Sequence, residues 1–374
     1  MNPLIKWPGG KSSEINKIEA YIPNYKRYIE PFFGGGAMFF FLTPPRALIN
    51  DISTSLIEYY KLIKAQDKIL YDLLICYNNS FSNLIKICEE NFSEIHNIYI
   101  LTQNNIYDKK QLEQAIIKFI DDLADKLYDG FTEKLLLDTT HFARQLKTMA
   151  VDKIIRTKKN NEKKAFSYKD LKNNLITGFA SGYYMYFRDV YNDLNLNRLN
   201  YPPIQYKAAN FYFIREYCYG SMFRYNNQGE FNIPYGGKSY NRKNLKNKID
   251  NMFNKDVERI FSNTDIFCSD FEDFLENIKL TNQDFMFIDP PYDTDFSDYE
   301  GRKFTKLDQE RLANLLKRTS AQFILIIKNT DFIYNLYKNS FQIISFDNRY
   351  TYNVRSRNER NVEHLIITNV PIKQ

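Results

Sequence analysis

The chain has 374 residues, of which 44% are hydrophobic and 26% charged, and its formal net charge is +6. This length predicts two or three domains, or one core domain with a large insertion, and the composition is ordinary for a soluble globular protein. The four cysteines lack C-x-x-C spacing and the three histidines lie far apart. This argues against a structural zinc site and a disulfide framework, so we expect no metal. No apolar run has the length of a signal peptide or a membrane span, so we expect a cytoplasmic protein without a membrane partner.

Residues 1–60 have an α/β pattern. Short strands are predicted at 28–32 (YIEPF) and 47–51 (ALIND), and a glycine turn leads from the first strand into the helix GAMFFF. After the second strand, STSLIEYYKLIKA has helical spacing and a Ser/Thr-rich start suited to N-capping. Strands and helices therefore alternate here.

Residues 61–244 have a different character. The segment QLEQAIIKFIDDLADKLYDGF has helical periodicity, whereas residues 156–166 (RTKKNNEKKAF) are polar and basic and are predicted to form a loop. Residues 217–240 are dense in Gly, Asn and aromatic side chains, which is typical of turns and hairpins.

Residues 245–374 again alternate between strands and helices. Strands are predicted at 265–270 and 284–289, followed by an amphipathic helix in which Thr305 and Asp308 have capping-box spacing. Three more strands follow, QFILIIKN, FQIISFD and VEHLIITN, and the last two should pair antiparallel because no helix separates them. The sequence thus predicts an α/β fold with a mostly parallel sheet and an antiparallel last strand.

The glycine turn lies where a nucleotide would bind. Gly34, Gly35 and Gly36 stand between a strand and a helix, so the backbone can approach a ligand closely and the helix start supplies N–H donors. Asp51 ends the next strand, 17 residues after Gly34 (51 − 34). That is near the spacing at which a carboxylate accepts hydrogen bonds from ribose hydroxyls. An ordinary tight turn is the alternative, and Asp51 argues against it.

Two GGKS segments bear some likeness to a phosphate-binding P-loop. The motif G-x-x-x-x-G-K-[ST] needs glycine at positions 5 and 232, where Ile5 and Asn232 stand. We therefore discount an ATPase.

The strand FMFI runs into Asp289-Pro290-Pro291-Tyr292. Ligands of open α/β sheets bind at the carboxyl ends of the strands, where this tetrapeptide lies. The prolines end ladder pairing and stiffen the turn, which fixes a carboxylate, backbone carbonyls and an aromatic ring relative to one another. Standing alone, the pattern is also compatible with a strand that stops at a solvated acid.

Five motifs together resemble the Dam-like, D12-class DNA adenine-N6 methyltransferases: KWPGGK, EPFFGGGAMFF, LIND, RYNNQGEFNIPYG and DPPY, in that order. The resemblance covers about residues 1–62 and 210–370. It implies a Rossmann-like methyltransferase domain formed by 1–75 and 241–374, and an inserted, largely helical target-recognition region at 76–240 with its hairpin at 217–240. Residues from about 76 to 200 lie outside the recognised motifs and form an insertion of unassigned role.

The resemblance implies S-adenosylmethionine as the methyl donor and S-adenosylhomocysteine as the product. By motif position, Trp7, Lys11, Asp51 and Asp289 are expected to contact the donor, with Asp51 on the ribose hydroxyls. Asp270, just after a strand, is expected near the adenine ring. The EPFFGGG segment is expected to wrap the methionine portion, through Glu30, Pro31, Phe32, Gly34 and Gly36.

Adenine methylation accounts for the tetrapeptide. The N6 lone pair of adenine is delocalised into the ring, so the nitrogen is a poor nucleophile. Asp289 and a backbone carbonyl, assigned to Pro290, each accept one N6–H bond, which aims the lone pair at the methyl group. The base leaves the duplex to reach this site and stacks on Tyr292.

Base reading is expected from residues 217–240. Arg224 can bond guanine O6 and N7 in the major groove, Met222 can touch a thymine methyl, and Tyr219 can wedge into the base stack. A structural hairpin whose arginine pairs with an acid is the alternative. Further DNA contacts are expected at Lys6, Asn226 and Pro234. Basic stretches at 153–164, 242–248 and 349–360 are candidates for phosphate contacts.

Other functions stay open from the sequence. The same fold also acts on cytosine N4, RNA or a protein glutamine amide, although Asp289 argues against the cytosine and glutamine enzymes. A catalytically silent DNA-binding protein is a different class, against which Asp51, Asp289 and Tyr292 argue. We expect a monomer acting on double-stranded DNA, alone or beside a separately encoded restriction endonuclease.

Overall fold

The computed structural model describes residues 1–11, 14–129, 131–199, 202–291, 298–299, 302–349 and 361–371. These residues form two compact units. The sheet unit comprises residues 1–66 and 254–374, and the helical unit comprises residues 67–253.

The helices and strands follow one another along the chain with short connections. The helices are α1 (Ile15–Ile18), α2 (Ala37–Leu42), α3 (Thr54–Lys64), α4 (Lys68–Glu90), α5 (Phe92–Gln103), α6 (Lys109–Asp122), α7 (Ala124–Tyr128), α8 (Thr132–Leu135), α9 (Thr139–Lys163), α10 (Tyr168–Asn195), α11 (Ile204–Tyr217), α12 (Lys246–Met252), α13 (Lys255–Ser262), α14 (Phe271–Glu276), α15 (Lys306–Arg318) and α16 (Asp331–Tyr337). The strands are β1 (Arg27–Glu30), β2 (Ala47–Asn50), β3 (Thr264–Phe267), β4 (Asp284–Ile288), β5 (Asp298–Tyr299), β6 (Arg302–Lys303), β7 (Gln322–Lys328), β8 (Gln342–Arg349) and β9 (Asn361–Thr368).

Seven of these strands form the sheet of the sheet unit, in the order β3-β2-β1-β4-β7-β9-β8. The first five are parallel, and β9 runs antiparallel to both of its neighbours. The predicted α/β fold with a mostly parallel sheet and an antiparallel last strand is confirmed, and so is the pairing of FQIISFD with VEHLIITN. Every predicted strand of the sheet is present, with ends shifted by three residues at most.

Continuous apolar runs explain why the middle strands are buried. All of β4 is buried, as are the five central residues of β7, as expected for parallel strands covered on both faces. Met286 and Leu325 of these strands lie in one core with Leu312 and Leu316 of α15. The predicted capping box fixes the start of α15, because Thr305 and Asp308 each accept a backbone N–H of the other. Both strands that carry the candidate site are thus held rigidly.

The helical unit is built around the long helices α9 and α10, which pack closely. A Cβ added to Gly178 would lie 2.9 Å from Cα of Ala150, and one added to Gly182 would lie 2.6 Å from Cα of Leu146. Only glycine allows the two backbones to approach so far.

The loop predicted at residues 156–166 is wrong, because α9 continues to Lys163. Val151, Ile154 and Thr157 are buried at helical spacing, so one apolar stripe holds the helix while its Lys, Arg, Asn and Glu residues face solvent. A polar, basic run is equally typical of such an exposed helix face.

The borders between the units differ from the borders predicted for the domains. The chain changes units after Gln66 and again after Phe253, whereas residue 75 lies inside α4. In the described part of the chain, no helix combines the length and the apolar character needed to cross a membrane.

Candidate active site

The site begins where β1, β2 and β3 end, and Asn50 joins the three ends. Its Nδ2 donates to the carbonyl of Pro31 at 3.1 Å and to that of Ser269 at 3.0 Å, and its Oδ1 accepts from the Ser269 N–H at 3.0 Å. Asn50 is 1% exposed. The sequence analysis missed this residue, whose only signal is its place directly before Asp51.

The glycine loop after β1 is packed against Trp7. Gly34 and Gly36 have φ of +50° and +66°, a region that other residues rarely adopt. A Cβ on Gly34 would lie 2.7 Å from Cδ1 of Trp7, and one on Gly36 would lie 2.5 Å from Cζ of Phe33. Both positions therefore need glycine, and the Trp7 indole lies directly on the loop.

Asp51 links this loop to the start of α3. Its carboxylate accepts the Gly34 N–H at 2.8 Å and the Ser53 N–H at 2.9 Å. Burial raises the pKa of Asp51, and the backbone N–H groups oppose that rise. Since a carboxylate has about four acceptor positions, these two bonds orient the group without using its full capacity.

Glu30, at the end of β1, is a second acid at this edge. Its side chain is 2% exposed and accepts the Tyr28 hydroxyl at 2.8 Å. Burial raises the pKa of Glu30 well above its ordinary value; the bond from Tyr28 opposes the rise, and the charges of Asp289 and Asp51 add to it. Three carboxyl groups therefore share one electrostatic neighbourhood, which favours a positively charged ligand.

Asp289 follows β4 directly and pairs with Lys11. Nζ of Lys11 lies 2.6 Å from Oδ1 and 2.8 Å from Oδ2 of Asp289, and it also donates to the Gly9 carbonyl at 3.0 Å. Lys11 is 2% exposed and Asp289 is 20% exposed. Burial raises the pKa of Asp289 and Lys11 lowers it, so Lys11 favours the ionised carboxylate. The KWPGGK and DPPY motifs, 278 residues apart, thus meet in one ion pair.

The turn after Asp289 is held by α15. Gln309 is fully buried, and its Nε2 donates to the Pro291 carbonyl at 3.1 Å. Its Oε1 is buried and accepts no hydrogen bond within the described residues. Pro290 is buried, and Tyr292 lies outside the described residues. Gln309 was missed because a glutamine in an amphipathic helix is normally part of its solvent face.

The carboxylate of Asp270 is already engaged by its own neighbours. It caps α14 by accepting the Glu272 N–H at 2.9 Å, and it pairs with Nη2 of Arg311 at 2.6 Å. Arg311 also contacts the carboxylates of Glu272 and Asp308. The placement of Asp270 near an adenine ring stays a prediction. Phe32 packs its ring 5.2 Å from that of Phe271, which adds an apolar wall beside these charges.

In the helical unit, Arg224 lies on the predicted hairpin, which isolated antiparallel bridges close at Cys218–Tyr235 and Tyr225–Phe231. The exposed guanidinium donates from Nε to the side-chain oxygen of Asn232 at 2.6 Å and from Nη2 to its backbone carbonyl at 3.1 Å. These bonds join Arg224 to an amide and a carbonyl of the opposite limb of the hairpin.

Asn226 closes the tip of the same hairpin. Its Nδ2 donates to Oε2 of Glu230 at 2.9 Å, and its Oδ1 accepts the N–H groups of Gln228 and Glu230 at 3.0 and 2.9 Å. This is the chemistry of an Asx turn. The side chain therefore has a structural role, and its contact with DNA stays a prediction.

A buried arginine supports the segment that carries Tyr219 and Met222. Arg215 is 1% exposed and donates to the carbonyls of Ser221 and, at 3.0 Å, Met222. Its guanidinium also stacks on Phe223 at 3.9 Å from the ring centre. The sequence analysis missed Arg215, which has no local signal because its partners follow the end of its helix.

The remaining predicted DNA contacts are found in separate parts of the structure. Tyr219 is 38% exposed, and its N–H donates to the carbonyl of the exposed Pro234 at 2.8 Å. Lys6 is half-buried in the sheet unit. The stretch 153–164 lies mostly in α9, two lysines of 242–248 pair with Glu216, and residues 350–360 lie outside the described residues.

Comparison with known proteins agrees with this geometry. The family model of the D12 class N6 adenine-specific DNA methyltransferases matches residues 7–132 and 120–352. The chain is 25% identical over 374 residues to the type II methyltransferase M.CviBI of Paramecium bursaria Chlorella virus NC1A, across 99% of this chain and 100% of that protein. It is 27% identical over 361 residues to the type II methyltransferase M.MjaIII of Methanocaldococcus jannaschii, across 90% and 88%.

A third relative is the retron Ec67 DNA adenine methylase of Escherichia coli, 22% identical over 342 residues, across 91% of this chain and 81% of that protein. The family match runs from the KWPGGK motif to the end of β8, so it includes the Lys11–Asp289 pair, the glycine loop and the hairpin. The resemblance drawn from the five motifs is confirmed: the chain belongs to the D12 class of N6 adenine-specific DNA methyltransferases.

Proposed function

We propose that this protein moves a methyl group from S-adenosylmethionine to N6 of an adenine flipped out of double-stranded DNA, and that Asp289 accepts a hydrogen bond from the N6 amino group. The observation that carries the proposal is the Lys11–Asp289 pair at the carboxyl end of β4. Ligands of open α/β sheets bind at this edge.

The acidic character of the edge supports S-adenosylmethionine as the donor. Glu30, Asp51 and Asp289 lie close enough for the charges of the latter two to raise the pKa of Glu30. A ligand that carries a sulfonium and an ammonium group offsets this repulsion. When bound, S-adenosylmethionine supplies an electrophilic methyl group on its sulfonium sulfur.

The glycine loop and its neighbours would hold the donor. Gly34 and Gly36 keep side chains out of the loop, and Asp51 retains acceptor capacity for ribose hydroxyls beyond the bonds from Gly34 and Ser53. Trp7 offers an aromatic face beside the loop. The same reasoning assigns Lys11 to the catalytic carboxylate and leaves contacts of Pro31, Phe32 and Asp270 with the donor as predictions.

Asp289 positions the target nitrogen. An ionised carboxylate accepts one N6–H bond and the Pro290 carbonyl accepts the other, so the amino group is held with its lone pair toward the methyl group. Lys11 keeps Asp289 ionised in a site whose burial favours the neutral acid. Gln309 fixes the following turn through Pro291, which supports the placement of Tyr292 for stacking on the base.

We also propose that the hairpin of the helical unit reads the DNA sequence. Arg224 is exposed on it and is held by Asn232, so its planar guanidinium is oriented in advance for a guanine edge. Two relatives are named type II methyltransferases, which supports a modification role for this chain. A separately encoded restriction endonuclease, a monomeric state and a cytoplasmic location stay predictions.

Transfer of a radiolabelled methyl group from S-adenosylmethionine to unmethylated duplex DNA tests the function. We expect transfer by the wild-type protein and a loss of about 100-fold or more with Asp289→Asn, because the neutral amide is a weaker acceptor. Asp265→Asn is the matched control: this exposed aspartate pairs with Arg46 on β3, and its loss should leave the rate unchanged. No transfer by the wild type would contradict the function, whereas full activity of Asp289→Asn would contradict only the role of Asp289.

Arg224→Ala tests base reading separately. Sequencing of the methylated positions is expected to show relaxed choice at a guanine of the recognition site, with discrimination reduced by about 1–3 kcal/mol. An unchanged set of positions would remove Arg224 from base reading while leaving the methyl transfer intact.

A further inference from the structure

A second buried pair lies close to Lys11 and Asp289 in the sheet unit. Nδ1 of His364 lies 3.0 Å from Oε2 of Glu14. The His364 side chain is fully buried and that of Glu14 is 5% exposed. The methyl transfer proposed above uses neither group, and burying ionisable side chains is unfavourable unless their pairing is good. The location of this pair therefore needs an explanation.

One turn of the backbone joins the two pairs. The Glu14 N–H donates to the Lys11 carbonyl at 2.8 Å, and the Lys17 N–H donates to the Glu14 carbonyl at 2.9 Å, which leads into α1. The backbone positions of Lys11 and Glu14 are thus fixed relative to each other. A displacement of one side chain is transmitted to the other.

The two side chains of this turn are attached to different strands. Lys11 bonds to Asp289, directly after β4, and Glu14 bonds to His364 on β9. In the sheet, β7 lies between those two strands. Two attachments on separate strands fix both the position and the orientation of the turn, whereas the Lys11–Asp289 pair alone would let the turn rotate about one point.

The surroundings of His364 keep the imidazole in place. Phe346 of β8 meets it edge-on with 5.7 Å between ring centres, and Nζ of Lys17 lies 5.1 Å from the centre of the Phe346 ring. The pair also reaches Asp289 through its charges. Burial raises the pKa of Asp289 and Lys11 lowers it; Glu14 then raises it and His364 lowers it.

We propose that the Glu14–His364 pair is a positioning element of the methyl-transfer site: it holds the turn from Lys11 to Glu14 on the sheet and so keeps Lys11 on both oxygens of Asp289. The inference rests on the proposed function. Neither residue touches the substrate, and both act through Lys11.

Glu14→Ala removes the pair and tests the inference. At saturating S-adenosylmethionine and DNA, kcat is expected to fall about 10- to 100-fold, the usual effect of displacing a reacting group by about 1 Å. In a Lys11→Met background the same substitution is expected to change kcat less than about threefold, because effects that pass through one residue do not add. A kcat of Glu14→Ala within twofold of wild type, or effects that multiply in the double variant, would overturn the proposal.

Two variants of His364 distinguish positioning from a general loss of stability. His364→Gln keeps a side-chain N–H donor for Glu14 and is expected to retain activity within about threefold, whereas His364→Leu is expected to lose as much as Glu14→Ala. If Glu14→Ala does not fold, this comparison carries the test, and equal kcat values for the two variants would overturn the proposal. Glu363→Ala is the matched control, since it removes an exposed side chain of the same strand that bonds to Asn329.

Emission from Trp7, the single tryptophan of the chain, gives a readout that needs no methyl transfer. Trp7 precedes Lys11 by four residues, so release of the turn should shift its emission maximum in Glu14→Ala but leave it unchanged in Glu363→Ala. Identical emission in the two variants would overturn the positioning role. Absence of methyl transfer by the wild type would instead contradict the proposed function.

Discussion

Replacing Gly34 by alanine tests how the glycine loop supports donor binding. The new Cβ would lie 2.7 Å from Cδ1 and 2.8 Å from Nε1 of Trp7. Since ordinary contact begins near 3.4 Å, the indole must move by about 0.7 Å (3.4 − 2.7). Gly34 also has φ of +50°, so any other residue is strained there. Gly10→Ala is the matched control in the KWPGGK motif, because its Cβ would meet only the Trp7 carbonyl oxygen, at 3.6 Å.

The magnitude follows from two separate effects. A left-handed backbone costs a non-glycine residue about 1–2 kcal/mol, and overpacking typically costs about 1–3 kcal/mol, so the strain at Gly34 is about 2–5 kcal/mol. In the free protein the loop relaxes by displacing Trp7, whereas donor binding requires both back in place. The strain therefore falls mainly on binding, and we expect the Kd for S-adenosylmethionine to rise at least about tenfold.

Trp7 emission supplies the assay, because the chain has a single tryptophan. Titration with S-adenosylmethionine should show a weaker Kd and a shifted starting emission for Gly34→Ala, and neither change for Gly10→Ala. A Kd within twofold of wild type together with unchanged emission for Gly34→Ala would refute the placement of Trp7 on the loop and the role of the loop in binding.

Three further predictions concern charge and packing. Lys11→Met should raise the pKa of Asp289, since Lys11 lowers it, so the acidic limb of the pH–rate profile should move to higher pH; an unmoved limb would contradict the pairing. In the helical unit, burial raises the pKa of Glu216 but its two lysine partners outweigh this and lower it from 4.5 to about 2. The ionised Glu216 should therefore contribute about 3 kcal/mol of stability above pH 4.5 that is lost as the pH falls toward 2. Urea unfolding should show the gap between wild type and Glu216→Gln narrowing over that range, and a constant gap would count against the pairing. Gly182→Ala should lower the free energy of unfolding by about 1–3 kcal/mol, because its Cβ would lie 2.6 Å from the backbone of α9; no loss relative to Ser181→Ala on the same helix would argue against this close packing.

The sheet and its order of elements were predictable because their signals are local. Buried strands such as β4 and β7 are continuous apolar runs, and Thr305 with Asp308 marks a helix start within four residues. The polar run in α9 was misread because its buried residues are spaced three apart, and the intervening charges look the same in a loop and on a solvent face.

The motifs identified the main groups of the candidate site but not what holds them. Asn50 reaches Ser269, 219 residues away, and Gln309 supports the Pro291 carbonyl from another helix. Glu14 and His364 are 350 residues apart. Nothing in the neighbouring sequence marks these side chains, because their roles arise only when distant strands and helices come together.

Identification of the modified nucleoside by mass spectrometry tests the central claim most directly. Duplex DNA incubated with S-adenosylmethionine and the wild-type protein, then digested to nucleosides, is predicted to contain N6-methyladenine, which should be absent after incubation with Asp289→Ala. Detection of N4-methylcytosine in place of N6-methyladenine, or of N6-methyladenine at wild-type levels with Asp289→Ala, would contradict the account.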